Sequence, residues 1–117
     1  MCGLPADVDF RFFAGLALTQ VCIGLHELIL NFGSEATVTV EGDLSVQVGS
    51  PERIVRDYRR AAGSVASLLS HSVTDVDSRP DGTLTLNFAG DERLSFHDSS
   101  THYESYHIRH GSDFYVV

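Results

Sequence analysis

One alternation occurs twice in this chain, and it restricts the fold more than any other feature. Leu28-x-Leu30-x-Phe32 is followed by Val38-x-Val40, and Leu84-x-Leu86-x-Phe88 is followed by Leu94-x-Phe96. The offset is a constant 56 residues, 84 less 28 and 96 less 40. An apolar side chain at every second position lies on one face of a pleated strand; in a helix the same residues would be scattered around the axis. Both stretches therefore read as antiparallel strand pairs with one face in a core.

Around these pairs the first half continues as strands. Leu18 to Ile23 precedes the turn Gly24-Leu25-His26. After Glu41-Gly42-Asp43, the residues Leu44, Val46 and Val48 alternate with Ser45 and Gln47. The expectation is a meander of about four strands. The second half offers Val73 to Asp77, the turn Arg79-Pro80-Asp81-Gly82, the two repeated strands, then Tyr103 to Arg109 and Phe114 to Val117. Between the halves the period changes. Ser50-Pro51-Glu52 supplies an N-cap, a proline for the first helical position and an acid for the first turn. Ile54, Val55, Tyr58, Ala61, Ala62, Val65, Leu68 and Leu69 then follow three-and-four spacing, which predicts a helix from about Pro51 to about Leu69. Its arginines, Arg53, Arg56, Arg59 and Arg60, read as a solvated face. The expected fold is α+β: a single domain over residues 1–117, with two antiparallel meanders, one principal amphipathic helix between them and a flexible arm over residues 1–10. The constant offset reads either as an internal duplication or as the ordinary likeness of two strand pairs.

Composition narrows function by exclusion. With 117 residues, 43% of them apolar, the chain can build one core without a metal or a disulfide. All eight cations are Arg, and sixteen carboxylates give a formal charge of −8. That field repels nucleic acid and anionic membrane and attracts a basic protein partner; it also serves plain solubility. Cys2 and Cys22 make no disulfide framework. The apolar run from Phe12 to Leu30 is interrupted by Gln20, His26 and Glu27, and Asp7 and Asp9 stand where a signal peptide needs cations. These features predict a cytoplasmic protein.

The segment Gly82-Thr83-Leu84-Thr85-Leu86-Asn87-Phe88, with Leu94-x-Phe96 and then Tyr103-Glu104-Ser105-Tyr106, resembles a family of small bacterial proteins of unassigned function. In that family a G-x-L-x-L-x-F hairpin precedes a Y-E-[AS]-[WY] strand, with Trp the commoner last residue. The resemblance covers about the last 45 residues. It implies a bacterial α+β domain and supplies no activity, since the family has none assigned.

Catalytic constellations are thin. His26-Glu27 begins a zinc-protease motif, but Leu30 occupies the second histidine's place. Asp98, Ser99, Ser100 and His102 contain the residue types of a hydrolase triad, yet they crowd one loop, where turn formation accounts for them. Four histidines, His97, His102, His107 and His110, fall in fourteen residues. If residues 98–101 form a hairpin loop, His97 and His102 face one another at a spacing that suits a transition metal, with Asp98 a third ligand. Glu104 alternates with core-like Tyr106 and Ile108, so it needs either a partner within the fold or a place in a recognition site lined by Tyr103 and Tyr106.

The resulting expectation is a non-enzymatic protein-interaction module that forms a homodimer through a terminal strand at Phe114 to Val117, with no cofactor and no bound metal. Its candidate binding residues are Tyr103, Glu104, Tyr106, His97 and His102. The alternative is a small-ligand or metal-binding protein, or a weak metal-dependent enzyme, built on the histidine cluster.

Overall fold

The computed structural model describes residues 8–99 and 105–117. Its strands are β1 (Leu18–Ile23), β2 (Leu28–Phe32), β3 (Ala36–Val40), β4 (Leu44–Gln47), β5 (Arg53–Val55), β6 (Val73–Ser78), β7 (Leu84–Phe88), β8 (Glu92–Phe96), β9 (Tyr106–His110) and β10 (Asp113–Val116). They form two antiparallel sheets of five strands, ordered β1-β2-β3-β9-β10 and β5-β4-β8-β7-β6. The fold is mostly strand, and its helix is short. No helix among the described residues is long and apolar enough to cross a membrane.

The repeated alternation forms β2-β3 and β7-β8, as the period of two requires. Leu28 pairs with Val40 and Leu30 with Val38, while Leu84 pairs with Phe96 and Leu86 with Leu94. All ten of the alternating residues Leu28, Leu30, Phe32, Val38, Val40, Leu84, Leu86, Phe88, Leu94 and Phe96 are buried in one core between the sheets.

Two expectations need correction. Neither half is a self-contained four-strand meander, because each chain segment changes sheet after its third strand. β4 leaves β3 and pairs with β8, while β9 leaves β8 and pairs with β3. Each sheet thus holds three strands of one half and two of the other. The segments that cross pack closely at Gly42, whose backbone N–H, like that of Glu41, donates to the Ser105 carbonyl at 2.8 Å. A Cβ on Gly42 would lie 3.2 Å from the Ser105 Cβ and 3.3 Å from its Cα.

The second correction concerns the helix. Residues Arg53–Val55 are not helical but form β5, which covers the outer edge of β4 through Leu44↔Val55 and Val46↔Arg53. The β-branched pair Ile54-Val55 suits that role, and Ile54, expected in the core, is exposed. Helical structure starts later, at Asp57, whose carboxylate accepts from the Arg59 backbone N–H at 3.3 Å. A 3-10 turn over Tyr58–Arg60 leads into α1 (Ala62–Ala66). Gly63 disfavours a longer helix by about 1 kcal/mol relative to Ala. Tyr58, Ala61, Val65 and Leu68 still reach the core with the expected spacing.

At the chain's start, Asp9 caps a 3-10 turn over Phe10–Phe13. Phe10, placed in the arm by sequence, is buried with its ring 5.4 Å from that of Tyr115.

The two halves follow one plan in detail. The approaches to β1 and β6 meet at an antiparallel bridge between Ala17 and Ser72. Gly15 N–H donates to the Val73 carbonyl and Ser70 N–H to the Leu18 carbonyl, each at 2.8 Å. Gly15 and Ser70 both have positive φ, +90° and +74°. Both outer strands carry an irregularity one step later, at Leu18/Gln20 and Val73/Asp75.

Candidate functional site

Alternation that buries one face of each sheet turns the other outward, and the outward face of β4, β8 and β7 is polar. Three cross-strand rows compose it: Ser45, Ser95 and Thr85; Gln47, Arg93 and Asn87; and, at the strand ends, His97 beside Thr83. The residues around Thr83, Thr85, Asn87, Arg93, Ser95 and His97 enclose a shallow basin of about 180 Å³. Its floor is hydroxyl-rich. Ser45 and Ser95 are buried, and the Ser95 and Thr85 hydroxyls lie 2.8 Å apart.

His97 lines this basin. Its Nε2 is 2.7 Å from the Ser45 hydroxyl, and its Nδ1 is 3.5 Å from that of Thr83. β8 and β9 do not pair with one another, because they lie in different sheets. His102, Tyr103 and Glu104 themselves lie outside the described residues. Among the described residues no three His, Cys, Asp or Glu side chains are grouped to hold a metal ion. Ser99, one of the triad candidates, has a backbone role: its hydroxyl accepts from the Asp43 N–H at 3.2 Å.

Tyr106, a candidate binding residue by sequence, faces the core. It is fully buried, and its phenol donates to the Gly82 carbonyl at 2.7 Å, tying β9 of one sheet to the β6-β7 turn of the other. Burial pushes the phenol's pKa far up, and the nearby carboxylates of Asp98 and Asp81 add to the shift. In that same turn Asp81 accepts from the Thr83 backbone N–H at 2.9 Å, which holds its carboxyl below the usual carboxylate range.

A second exposed feature is the outer edge of the other sheet. Its outermost strand is β10. Tyr115 packs against the core and Val117 is buried, whereas Phe114 is 47% exposed. The Arg109 guanidinium sits 5.0 Å from the centre of the Phe114 ring, on the outer face. Next to it a row of Val116, His107, Thr39 and Ile29 crosses that face. A further concavity, of about 290 Å³, lies where the β1-β2 turn meets the 3-10 segment, lined by Leu25, His26, Glu41, Arg56 and Tyr58.

No protein-family model matches the chain, and no curated protein or solved structure matches it significantly. The resemblance of its second half to small bacterial proteins therefore rests on the quoted residues alone. Sequence reasoning singled out His97 but not Arg93 or Ser45. The alternation did hold a signal for them: each is the outward residue beside a core position, on a strand whose neighbours could not be named from sequence.

Proposed function

We propose that this chain is a non-enzymatic interaction module that binds first to a second copy of itself, edge to edge through β10. The observation that supports this is the unequal protection of the four outer strands. β1 and β6 are irregular at their starts, and β6 carries Asp75 and Asp77. β5 has three residues and follows Pro51. Irregularities, charges, proline and shortness are the devices that keep an edge from pairing. β10 has none of them beyond Asp113 at its start, and it carries the exposed Phe114.

The backbone suits such pairing. Val117 N–H donates inward to the Tyr106 carbonyl, so by alternation the N–H groups of Val116 and Phe114 point away from β9. In a two-fold antiparallel pair centred on Tyr115, Phe114 of one copy faces Val116 of the other, so two apolar side chains meet on the outer face at the junction. The charge of −8 opposes association of like copies and favours a basic protein as the partner bound next. The common plan of the halves supports an origin by internal duplication, with the edge strands β5 and β10 diverged, one blunted and one left open.

Light scattering after size exclusion tests the reading. The expected result is a dimer at tens of micromolar that becomes a monomer in Val116→Pro, which removes an outward N–H and spares the β9 ladder. Phe114→Asp should act in the same direction. A native monomer, or a dimer unchanged in both folded variants, overturns the proposal.

A further inference from the structure

The two sheets share a plan, so their outward faces can be compared position by position, and one row differs in a way that points to a ligand. In the first sheet the row Gln20, Asn31 and Thr37 is closed on itself. Asn31 Nδ2 donates to Gln20 Oε1 at 2.8 Å, and the Thr37 hydroxyl donates to Asn31 Oδ1 at 2.6 Å. The corresponding row in the second sheet is Asp75, Asn87 and Arg93, at offsets of 55, 56 and 56 residues. Among the described residues these three side chains form no hydrogen bond or ion pair with one another. Arg93 Nε is buried without a partner. Gln47, on the other side of Arg93, turns its amide to the Asp91 carbonyl at 3.1 Å. An unpaired buried donor costs about 1–3 kcal/mol, and a guanidinium loses more than a neutral group when it goes without an acceptor. A half-buried Arg in the middle of a sheet face, beside an uncommitted amide and above a floor of hydroxyls, is poised for an oxyanion.

The rest of the lining narrows the class. Glu52, Asp77 and Arg79 stand at the rim. Asp77 is engaged weakly by Arg79 at 3.4 Å, and Glu52 has no ion pair among the described residues. Two carboxylates balance the two guanidiniums of the lining and leave no net positive charge to hold a dianion, and they provide acceptors for a donor on the ligand. The volume admits only a small molecule. We propose that the Arg93 basin binds a small monocarboxylate that carries a hydroxyl or ammonium on the adjoining carbon. Arg93 takes the carboxylate, Asn87 and the hydroxyl floor orient it, and the rim carboxylates accept from the hydroxyl or ammonium. This site lies on the sheet that does not contain β10, so it stands or falls independently of the dimer.

Amide chemical-shift titration of the full chain tests it, with lactate, glycine, acetate and inorganic phosphate as separate probes. Lactate or glycine should produce saturable shifts confined to β4, β7 and β8 below about 10 mM, and bind roughly tenfold more tightly than acetate or phosphate. Arg93→Gln should abolish the shifts while the remaining spectrum stays native. Asn87→Ala, a milder change, should weaken binding severalfold and serves if the first variant does not fold. No saturable shift with lactate or glycine, shifts that survive in either folded variant unchanged, or phosphate binding as tightly as lactate would overturn the assignment.

Discussion

At the scale of single residues, the buried phenol of Tyr106 and the capped carboxylates control how stability depends on pH. The Tyr106 pKa is raised by burial, so its contribution is fully present below the ordinary phenol value of about 10 and is lost as pH rises above it. Alkaline unfolding should therefore be accompanied by phenolate absorbance, and Tyr106→Phe should soften that limb. The same variant leaves the Gly82 carbonyl without its donor and should lower stability by about 1–2 kcal/mol at neutral pH, read by urea unfolding. The acid side has the opposite sign. Asp81 and Asp57 lie below the usual range, the first through the Thr83 N–H and the second through the Arg59 side chain; the Arg11 side chain brings Asp9 down to about 2. Their contribution is present above about pH 4 and fades as pH falls through the folded values. In Asp81→Asn the melting temperature should fall less steeply below pH 4 than in the native chain.

Among the elements, the equivalent turns before β1 and β6 form a matched experiment. Gly15 and Ser70 hold the same left-handed conformation, and only one of them is a glycine. Nothing lies within 4 Å of a Cβ placed on Gly15, so Gly15→Ala carries conformational strain alone, about 1 kcal/mol of destabilisation. Ser70→Gly should relieve that strain and raise stability by up to about 1 kcal/mol, measured by the same urea unfolding. Gly42 is the contrasting case. Its backbone is ordinary but its space is taken by Ser105, so Gly42→Ala should cost about 1–3 kcal/mol by forcing the two crossing segments apart.

For the whole molecule, strand exchange makes each half incomplete. Residues 1–56 carry β4 and β5 without the sheet they extend, and residues 57–117 carry β9 and β10 in the same position. Neither fragment should fold as a monomer, while an equimolar mixture should recover the circular dichroism of the intact chain. The proposed dimer adds a long-range expectation. Two copies of charge −8 repel, and salt screens that repulsion, so the dimer should tighten as ionic strength rises. The amino-acid sequence alone determined the two repeated strand pairs and their buried faces, because a period of two is a local property: Leu28, Leu30 and Phe32 need no knowledge of their neighbours to share a side. The same local signal misled at Pro51 to Val55, where Ser-Pro-Glu reads as a helix start; the edge of the preceding strand β4, left open by β8 on its other side, claimed Arg53–Val55 as a strand. Which strands pair, and hence which outward residues meet, was decided only in three dimensions. His97 came to lie beside Ser45, and Arg93 between Gln47 and Asn87, because β4 crossed to the other sheet. A crossover of that kind depends on burying both faces of the core at once, and no stretch of sequence carries that condition by itself.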